Sequence, residues 1–478
     1  MAGSRWKLVV FGLLPAAPVL LGSCSQVSSN ARQLQAADTL TGSGNLAAAA
    51  FRATAVAAVR QPVTSARLGL SVLWQRPREI ISGNLPFEVM PQPLPAESPG
   101  SLEFETMLDR KGFPRAESGT LKWLVDGGAF FPELDRRIAS ARESIDVQVY
   151  IFDNDDIAVR YADLLKSRAG ALKVRVLFDD MGSTFSHTTA PGTPRPAGFT
   201  PPADIHDHLQ KDSKLRARRI LNPWLVADHT KLLVFDHRSA ILGGMNIGRE
   251  YYSEWHDLMV AVEGPVVDSL SREFRRAWRK AGPWGDLALF RQPAIFRHPK
   301  PVTGGIPLRV LRTDPAEGKR QILEASLLAI RGARKRVWIE NPYFAHDDIA
   351  LATAAAARRG VDVRVVLPAA GDSSLMDEGN LATANSLIRA GAKVFRYPQM
   401  THMKVMVCDD WASVGSANFD TLSMRINREL NLAFSHPAAV RGLEKAVFLP
   451  DFRRSRRMDL AETESAASGL AEAIADQL

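Results

Sequence analysis

The chain has 478 residues and only two cysteines, Cys24 and Cys408. That scarcity excludes a disulfide framework and a cysteine-based metal site. Cys408 lies in the apolar run Val405-Met406-Val407-Cys408 and reads as a small buried hydrophobe. The apolar run near the start, Leu8 to Leu21, is too short to span a bilayer comfortably and is broken by Pro15 and Pro18. No metal-ligand spacing stands out: His206-Asp207-His208 sits in a polar segment without clear further ligands and reads as a solvated helix face. No metal and no cofactor is expected.

What is present is ordinary in amount: 46% hydrophobic and 23% charged residues, enough chain for two cores or one duplicated core. The net charge of +8 favours an anionic partner, a lipid surface or a nucleic acid. The first residues resemble a bacterial lipoprotein signal. Arg5 and Lys7 precede the apolar run, which ends at Leu21-Gly22-Ser23-Cys24. The resemblance implies removal of residues 1–23, lipidation of Cys24 and a periplasm-facing protein anchored in the cell envelope. Ser25 after Cys24 favours the outer over the inner membrane.

Residues 24–118 read as a lipidated tether and helical lead-in, with an Ala-rich stretch, Leu46 to Arg60, of helix-forming composition. Packing on the catalytic body is the expected fate of its apolar face; lying on a membrane is the alternative. From 119 an α/β pattern occurs twice. In the first copy a helix over Phe131 to Arg142 is followed by a strand over Ile145 to Phe152, a helix opened by Asp155-Asp156-Ile157-Ala158, and a strand over Val174 to Phe178. In the second, a helix over Gln321 to Ala333 precedes a strand from Val337, a helix opened by Asp347-Asp348-Ile349-Ala350, and a strand over Val361 to Leu367. The fold class is therefore α/β: two fused repeats, 119–283 and 307–456, with mostly parallel sheets and helices on both faces. Residues 284–306 link them and 457–478 form a tail. The insertion Thr188 to Ala203 has no counterpart in the second copy and is either a gating loop or a surface excursion. Val266, Leu270, Phe274 and Trp278 recur every fourth residue as the core stripe of a helix.

Each copy carries the same rare segment. His229-Thr230-Lys231 is followed by Asp236, and His402-Met403-Lys404 by Asp409, with four apolar residues between Lys and Asp in each. Small-residue turns ending in Asn follow: Gly243-Gly244-Met245-Asn246 and Gly415-Ser416-Ala417-Asn418. In extended backbone, His and Lys at alternate positions share a face. One such segment is weak evidence; two at matched offsets supply the imidazoles, ammonium groups and amides that phosphodiester chemistry without a metal requires. Asp257 and Glu429 each lie eleven residues beyond their Asn and are candidates to orient the imidazoles. The spacing departs from symmetry once: five residues separate Asp409 from Gly415, against six between Asp236 and Gly243.

These segments resemble the paired HKD motifs of the phospholipase D superfamily, over roughly residues 119 to 455. Leu124-Val125-Asp126-Gly127, Ile339-Glu340-Asn341-Pro342-Tyr343-Phe344 and Gly243 through Tyr252 followed by Trp255-His256-Asp257 support the resemblance, and Gly243 through Tyr252, then Glu263-Gly264-Pro265-Val266-Val267, is most similar to the bacterial cardiolipin synthase branch. The resemblance implies an active site at the interface between the repeats and a phosphohistidine intermediate. His229 would be the nucleophile and His402 the acid and base. Lys231, Lys404, Asn246 and Asn418, with Ser416 and Gly244, would contact the substrate, while Asp236 and Asp409 act structurally. It further implies an anionic phospholipid membrane as partner, a phosphatidylglycerol-type donor, an alcohol acceptor and a monomeric catalytic unit. No nucleic acid is expected. A phospholipase D hydrolase releasing phosphatidic acid and, behind it, a metal-independent nuclease are the alternatives.

Overall fold

A computed structural model describes residues 46–71, 94–187, 191–221, 223–290 and 302–466. Cys24, the signal segment and most of the tail lie outside them. No helix among the described residues is long and apolar enough to cross a membrane.

The first repeat contributes strands β1 (Glu117–Val125), β2 (Ser144–Val149), β3 (Lys173–Asp179), β4 (Arg216–Ile220), β5 (Leu232–Phe235), β6 (Ser239–Gly243) and β7 (Leu258–Glu263). The second contributes β8 (Ile306–Asp314), β9 (Lys319–Arg320), β10 (Arg336–Glu340), β11 (Asp362–Pro368), β12 (Lys393–Tyr397), β13 (Val405–Cys408), β14 (Trp411–Gly415), β15 (Glu429–Ser435) and β16 (Arg456–Arg457). All belong to one sheet of order 16-12-11-10-13-14-15-8-1-7-6-5-2-3-4, with β9 beside β8. Read outward from the β1–β8 pair, the order is the same in both directions, so a pseudo-two-fold axis runs between those strands.

The expected duplication and α/β class are borne out; the mostly parallel sheet is corrected. Parallel pairing is confined to β2–β3–β4 and β10–β11–β12. There the chain crosses over through helices α1 (Asp156–Arg168) and α2 (Asp347–Arg358) and their successors. The centre of the sheet, β13–β14–β15–β8–β1–β7–β6–β5, is antiparallel throughout. The HKD strands β5 and β13 enter short hairpins, which can only pair antiparallel. Alternating-crossover reasoning covered the outer strands and missed these hairpins.

Alternation along the central strands separates two layers. Leu232 and Val234, Leu242, Val260 and Val262 point to one face, where they meet Val405, Val407, Leu430 and Leu432 of the other repeat. The stripe Val266, Leu270, Phe274 and Trp278 of helix α3 (Val266–Lys280) is buried on that face, as expected. Leu233, Phe235 and Ile241 face the opposite layer, which is split into one core per repeat.

One local reading changes. The helix expected from Phe131 begins at Asp126 and runs to Ser140. Asp126 has φ 61°, and a Cβ on Gly127 would sit 2.2 Å from the Tyr252 carbonyl oxygen, so the helix starts beneath that loop. Part of the lead-in packs on the second repeat. Phe104, Leu108 and Phe113 are buried in the second repeat's core, and Arg309 pairs with Glu105 and Asp109.

Asp236 and Asp409 close the far ends of the HKD strands. Asp236 accepts from the backbone N–H groups of Arg142, Glu143 and Ser144, at 2.7–3.1 Å. Asp409 accepts from those of Arg334, Lys335 and Arg336, at 2.8–3.0 Å. Both have positive φ, 53° and 50°. The one-residue departure also falls here: β5 and β6 are joined by Asp236-His237-Arg238, β13 and β14 by Asp409-Asp410 alone. The difference is absorbed at the end of the hairpin remote from His and Lys. Hydrogen bonds to a charged acceptor contribute roughly 1.5–3 kcal/mol each, not additively. Asp409→Ala should therefore lower stability by about 3 kcal/mol in equilibrium urea unfolding; a loss below about 0.5 kcal/mol would contradict the anchoring role.

Candidate active site

His229 and His402 each stand three residues ahead of their strand, on extended backbone rather than within the ladder. What fixes them is a pair of isolated backbone bridges between the repeats. Asp228 bridges Arg428, and Thr401 bridges His256. His229 N–H donates to the Arg428 carbonyl at 2.9 Å, and His402 N–H to the His256 carbonyl at 2.7 Å. The residue after each bridge partner is a carboxylate.

The carboxylates are thereby exchanged. His229 Nδ1 lies 3.0 Å from Glu429 of the second repeat, and His402 Nδ1 lies 2.7 Å from Asp257 of the first. Asp257 and Glu429 are the carboxylates expected to orient the imidazoles; which imidazole each one meets is set by the fold, and they cross. A carboxylate accepting from Nδ1–H fixes the tautomer with Nε2 unprotonated, the form able to attack phosphorus.

The lysines share the enclosure. Lys231 Nζ donates to the His229 carbonyl at 2.9 Å and Lys404 Nζ to the His402 carbonyl at 2.7 Å. Burial, and then both ammonium groups, hold His229 and His402 well below the usual imidazole range. Each imidazole thus feels the lysine of the other repeat as well as its own. Burial lowers Lys231 to about 7 and Lys404 to about 8, against the pull of Glu429 and Asp257. It raises Asp257 to about 7 and Glu429 to about 8, with the lysines opposing. Six ionisable groups therefore share one desolvated space, and the two lysines and two carboxylates are poised near neutrality.

The small-residue turns serve the carboxylates. Ser416 Oγ donates to Glu429 at 2.5 Å, and a Cβ on Gly244 would fall 2.2 Å from Asp257 Oδ1. Direct ligand contact was expected of Ser416 and Gly244; the structure sets both against the residues that orient the imidazoles. Asn246 takes the Ile151 N–H on its oxygen at 3.0 Å and donates one amide hydrogen to Tyr251 at 2.8 Å, leaving its second. Asn418 is buried, with Oδ1 unpaired.

Several contributors were not singled out from the sequence. Tyr150 meets His229 edge-on at 4.9 Å, and Tyr251 and Trp255 flank His402 at 5.6 and 5.0 Å. These aromatics lay in quoted segments, but nothing in their spacing pointed to the imidazoles. Behind His229, Arg428 pairs with Asp228 at 2.7 Å. Behind His402, His256 is held between Asp126 at 2.7 Å and Asp451 at 3.1 Å, with Glu340 beside them taking the Thr401 hydroxyl at 2.5 Å. Among the described residues, His256, Glu340 and Asp451 form one of three groups whose ligand atoms approach within 4.8 Å; the others are Asp153–Asp155–Glu250 and Asp204–His206–Asp207. In the last, Asp204 caps the helix Ile205–Gln210. His208 pairs with Asp163, so this segment is a solvated helix face tied down by an ion pair. The insertion meets the site's rim: Gly192 and Thr193 donate their N–H groups to Glu254, next to Trp255.

The architecture and the two crossed pairs invite comparison with known proteins. A family described as "Cardiolipin synthase, PLD-like domain" matches residues 134–278 and 327–447, more than half of the chain. The chain belongs to this family. Among curated relatives of the cardiolipin synthase, PLD-like family, Cardiolipin synthase A of Pseudomonas putida (strain W619) is 33% identical over 331 residues, 67% of this chain and 66% of that protein. Probable cardiolipin synthase YwiE of Bacillus subtilis (strain 168) is 30% identical over 361 residues, 71% of this chain and 67% of its own. The match thus spans just under two thirds of the Pseudomonas protein's length. Phosphatidylserine synthase of Haemophilus influenzae Rd KW20 shares the fold, with a TM-score of 0.59 at 14% identity over 78% of this chain and all of that one.

The exchanged carboxylates make a specific prediction. Glu429→Gln or Asp257→Asn should lower activity about 100-fold or more while leaving the far-UV circular dichroism unchanged, because the facing imidazole loses its tautomer. The network behind His402 makes another. Burial opposes charge on His256, but Asp126 and Asp451 outweigh it and raise its pKa to about 10. Its contribution to stability is complete below about 6.5 and is lost as pH rises toward 10. Glu340, raised to about 8 by burial and Asp451, adds a decline of the same sign up to its own titration. The loss of thermal stability caused by His256→Gln should therefore be largest near pH 6.5 and shrink as pH rises to 9.5; a loss independent of pH would remove His256 as its source.

Proposed function

We propose that the protein is a phosphatidyltransferase of the cardiolipin synthase type, working through a phosphohistidine. The observation that carries the reading is the crossed pairing of His229 with Glu429 and His402 with Asp257 in one buried site with both lysines. In the first step Nε2 of His229 attacks phosphorus and a P–N bond forms. The P–O bond to the departing alcohol breaks, and His402 gives that oxygen a proton. In the second step the acceptor hydroxyl returns the proton to His402, attacks phosphorus and breaks the P–N bond. An imidazole held so short of protons by burial and the lysines needs help to carry one. The Asp257 carboxylate and the negative charge of the arriving phosphodiester supply it. Lys231, Lys404 and the remaining amide hydrogen of Asn246 would hold the non-bridging oxygens, where charge grows as bonds change.

The relatives' names and the lysine-rich pocket support an anionic phosphodiester lipid as substrate, with a phosphatidylglycerol-type donor and a lipid glycerol hydroxyl as acceptor. Purified protein in phosphatidylglycerol vesicles should make cardiolipin and release glycerol. Phosphatidic acid as the sole product would transfer the assignment to a hydrolase. With a labelled nitrophenyl phosphodiester, whose leaving group needs no proton, His402→Ala should accumulate an acid-labile adduct on His229, and His229→Ala none. Label on His402 instead would reverse the two roles.

A further inference from the structure

The helical segment 46–71 has two apolar faces, and only one is covered. The inner face is fastened at several points beside the chain that leads into His229. Leu68 packs with Val226, Ala316 and Ile426. Arg52 forms a two-bond ion pair with Asp180, at 2.8 and 3.0 Å. Thr64 donates to Asp286 through both N–H and Oγ1, and the Trp224 indole N–H donates to the Ser65 carbonyl at 2.7 Å. A Cβ on Gly285 would overlap the Arg60 carbonyl, so these segments are in direct contact.

The outer face is the unusual one. Phe51, Ala55 and Val59 are exposed at four-residue spacing up to Gln61, where the helical backbone is interrupted, and Val63 and Leu70 are exposed on the helical stretch that follows. Phe51, Val59, Val63 and Leu70, with Trp224 and Trp284 at the points where the segment is fastened, are between 52% and 81% exposed. Single exposed apolar residues are commonplace, but a series of them along one short segment, flanked by tryptophans, marks an interaction surface. Its charge has one sign. Residues 46–71 contain Arg52, Arg60 and Arg67 and neither Asp nor Glu; Arg60 and Arg67 are exposed beside the stripe. Apolar face, flanking arginines and interfacial tryptophans are the composition of a helix that lies in the plane of an anionic membrane surface. A protein partner would not account for the missing acidic residues. The segment also follows directly on residues 1–45, which carry the apolar run Leu8 to Leu21.

We propose that the outer face of 46–71, continued by Trp224 and Trp284, rests on an anionic phospholipid bilayer and holds the approach to His229 at the lipid surface. The inference deepens the lipid-substrate reading and rests on it. The test uses the full chain carrying Cys24→Ser, so that no acyl anchor masks the effect. A fluorophore is attached through Val63→Cys; Cys408, the other thiol, is fully buried. On adding phosphatidylglycerol-containing vesicles, brominated acyl chains should quench the label and aqueous iodide should lose access to it. The paired change Val59→Glu with Val63→Glu should lower turnover of vesicle lipid at least 10-fold and leave turnover of monomeric short-chain phosphatidylglycerol within about twofold. A label that stays open to iodide on vesicle-bound protein overturns the proposal. So does a label shielded before vesicles are added: shielding that grows with protein concentration means a second copy covers the face, and shielding independent of concentration means another part of this chain does. If the unsubstituted protein leaves monomeric lipid unchanged, the lipid-substrate reading fails, and the quenching still decides the fate of the face.

Discussion

Each imidazole depends on a carboxylate from the other repeat. This exchange is the constraint around which the rest of the molecule is arranged. Two backbone bridges, Asp228 to Arg428 and Thr401 to His256, bring the strand entries together, and the next residue on each side is the one that pairs. Misplacing either bridge would leave a buried carboxylate and a buried imidazole without their hydrogen bonds, a cost of several kcal/mol. The shared apolar layer beneath the central strands holds the bridges in register, because it packs β5, β6 and β7 against β13, β14 and β15 across the pseudo-two-fold axis.

The desolvation that threatens these groups also makes them useful. In water two lysines, two carboxylates and two imidazoles would each keep an ordinary ionisation. Enclosed together, the lysines descend and the carboxylates ascend until the four lie near neutrality. Protons can then move among them at little cost, while a phosphodiester brings the negative charge that the two ammonium groups lack.

Much of this could be read from the chain. The duplicated HxKxxxxD segments, the DDIA helix starts and the stripe of helix α3 all describe local patterns with fixed periods, and those survived intact. The Asp155 cap is one example: its side chain accepts the Ala158 N–H at 2.8 Å. What the chain did not disclose is non-local. Pairing of Asp257 with His402 rather than His229 depends on how the halves dock. The antiparallel centre depends on which strands become neighbours across the β1–β8 seam. Burial of Phe104 and Leu108 in the second core depends on where the lead-in docks. Ser416 and Gly244 were noticed for being small, but their smallness accommodates Glu429 and Asp257.

The layer immediately behind the imidazoles is where the halves stop matching. At corresponding positions, one side places a guanidinium on an aspartate, Arg428 on Asp228; the other stacks a cationic ring, His256 on Tyr397 at 4.5 Å, among three acids. A perfectly duplicated frame would give its two histidines equal tasks and leave the direction of reaction undecided. Inherited sameness fixes where the rings stand, and divergence one shell deeper gives selection a means to make one of them the attacker and the other the proton carrier.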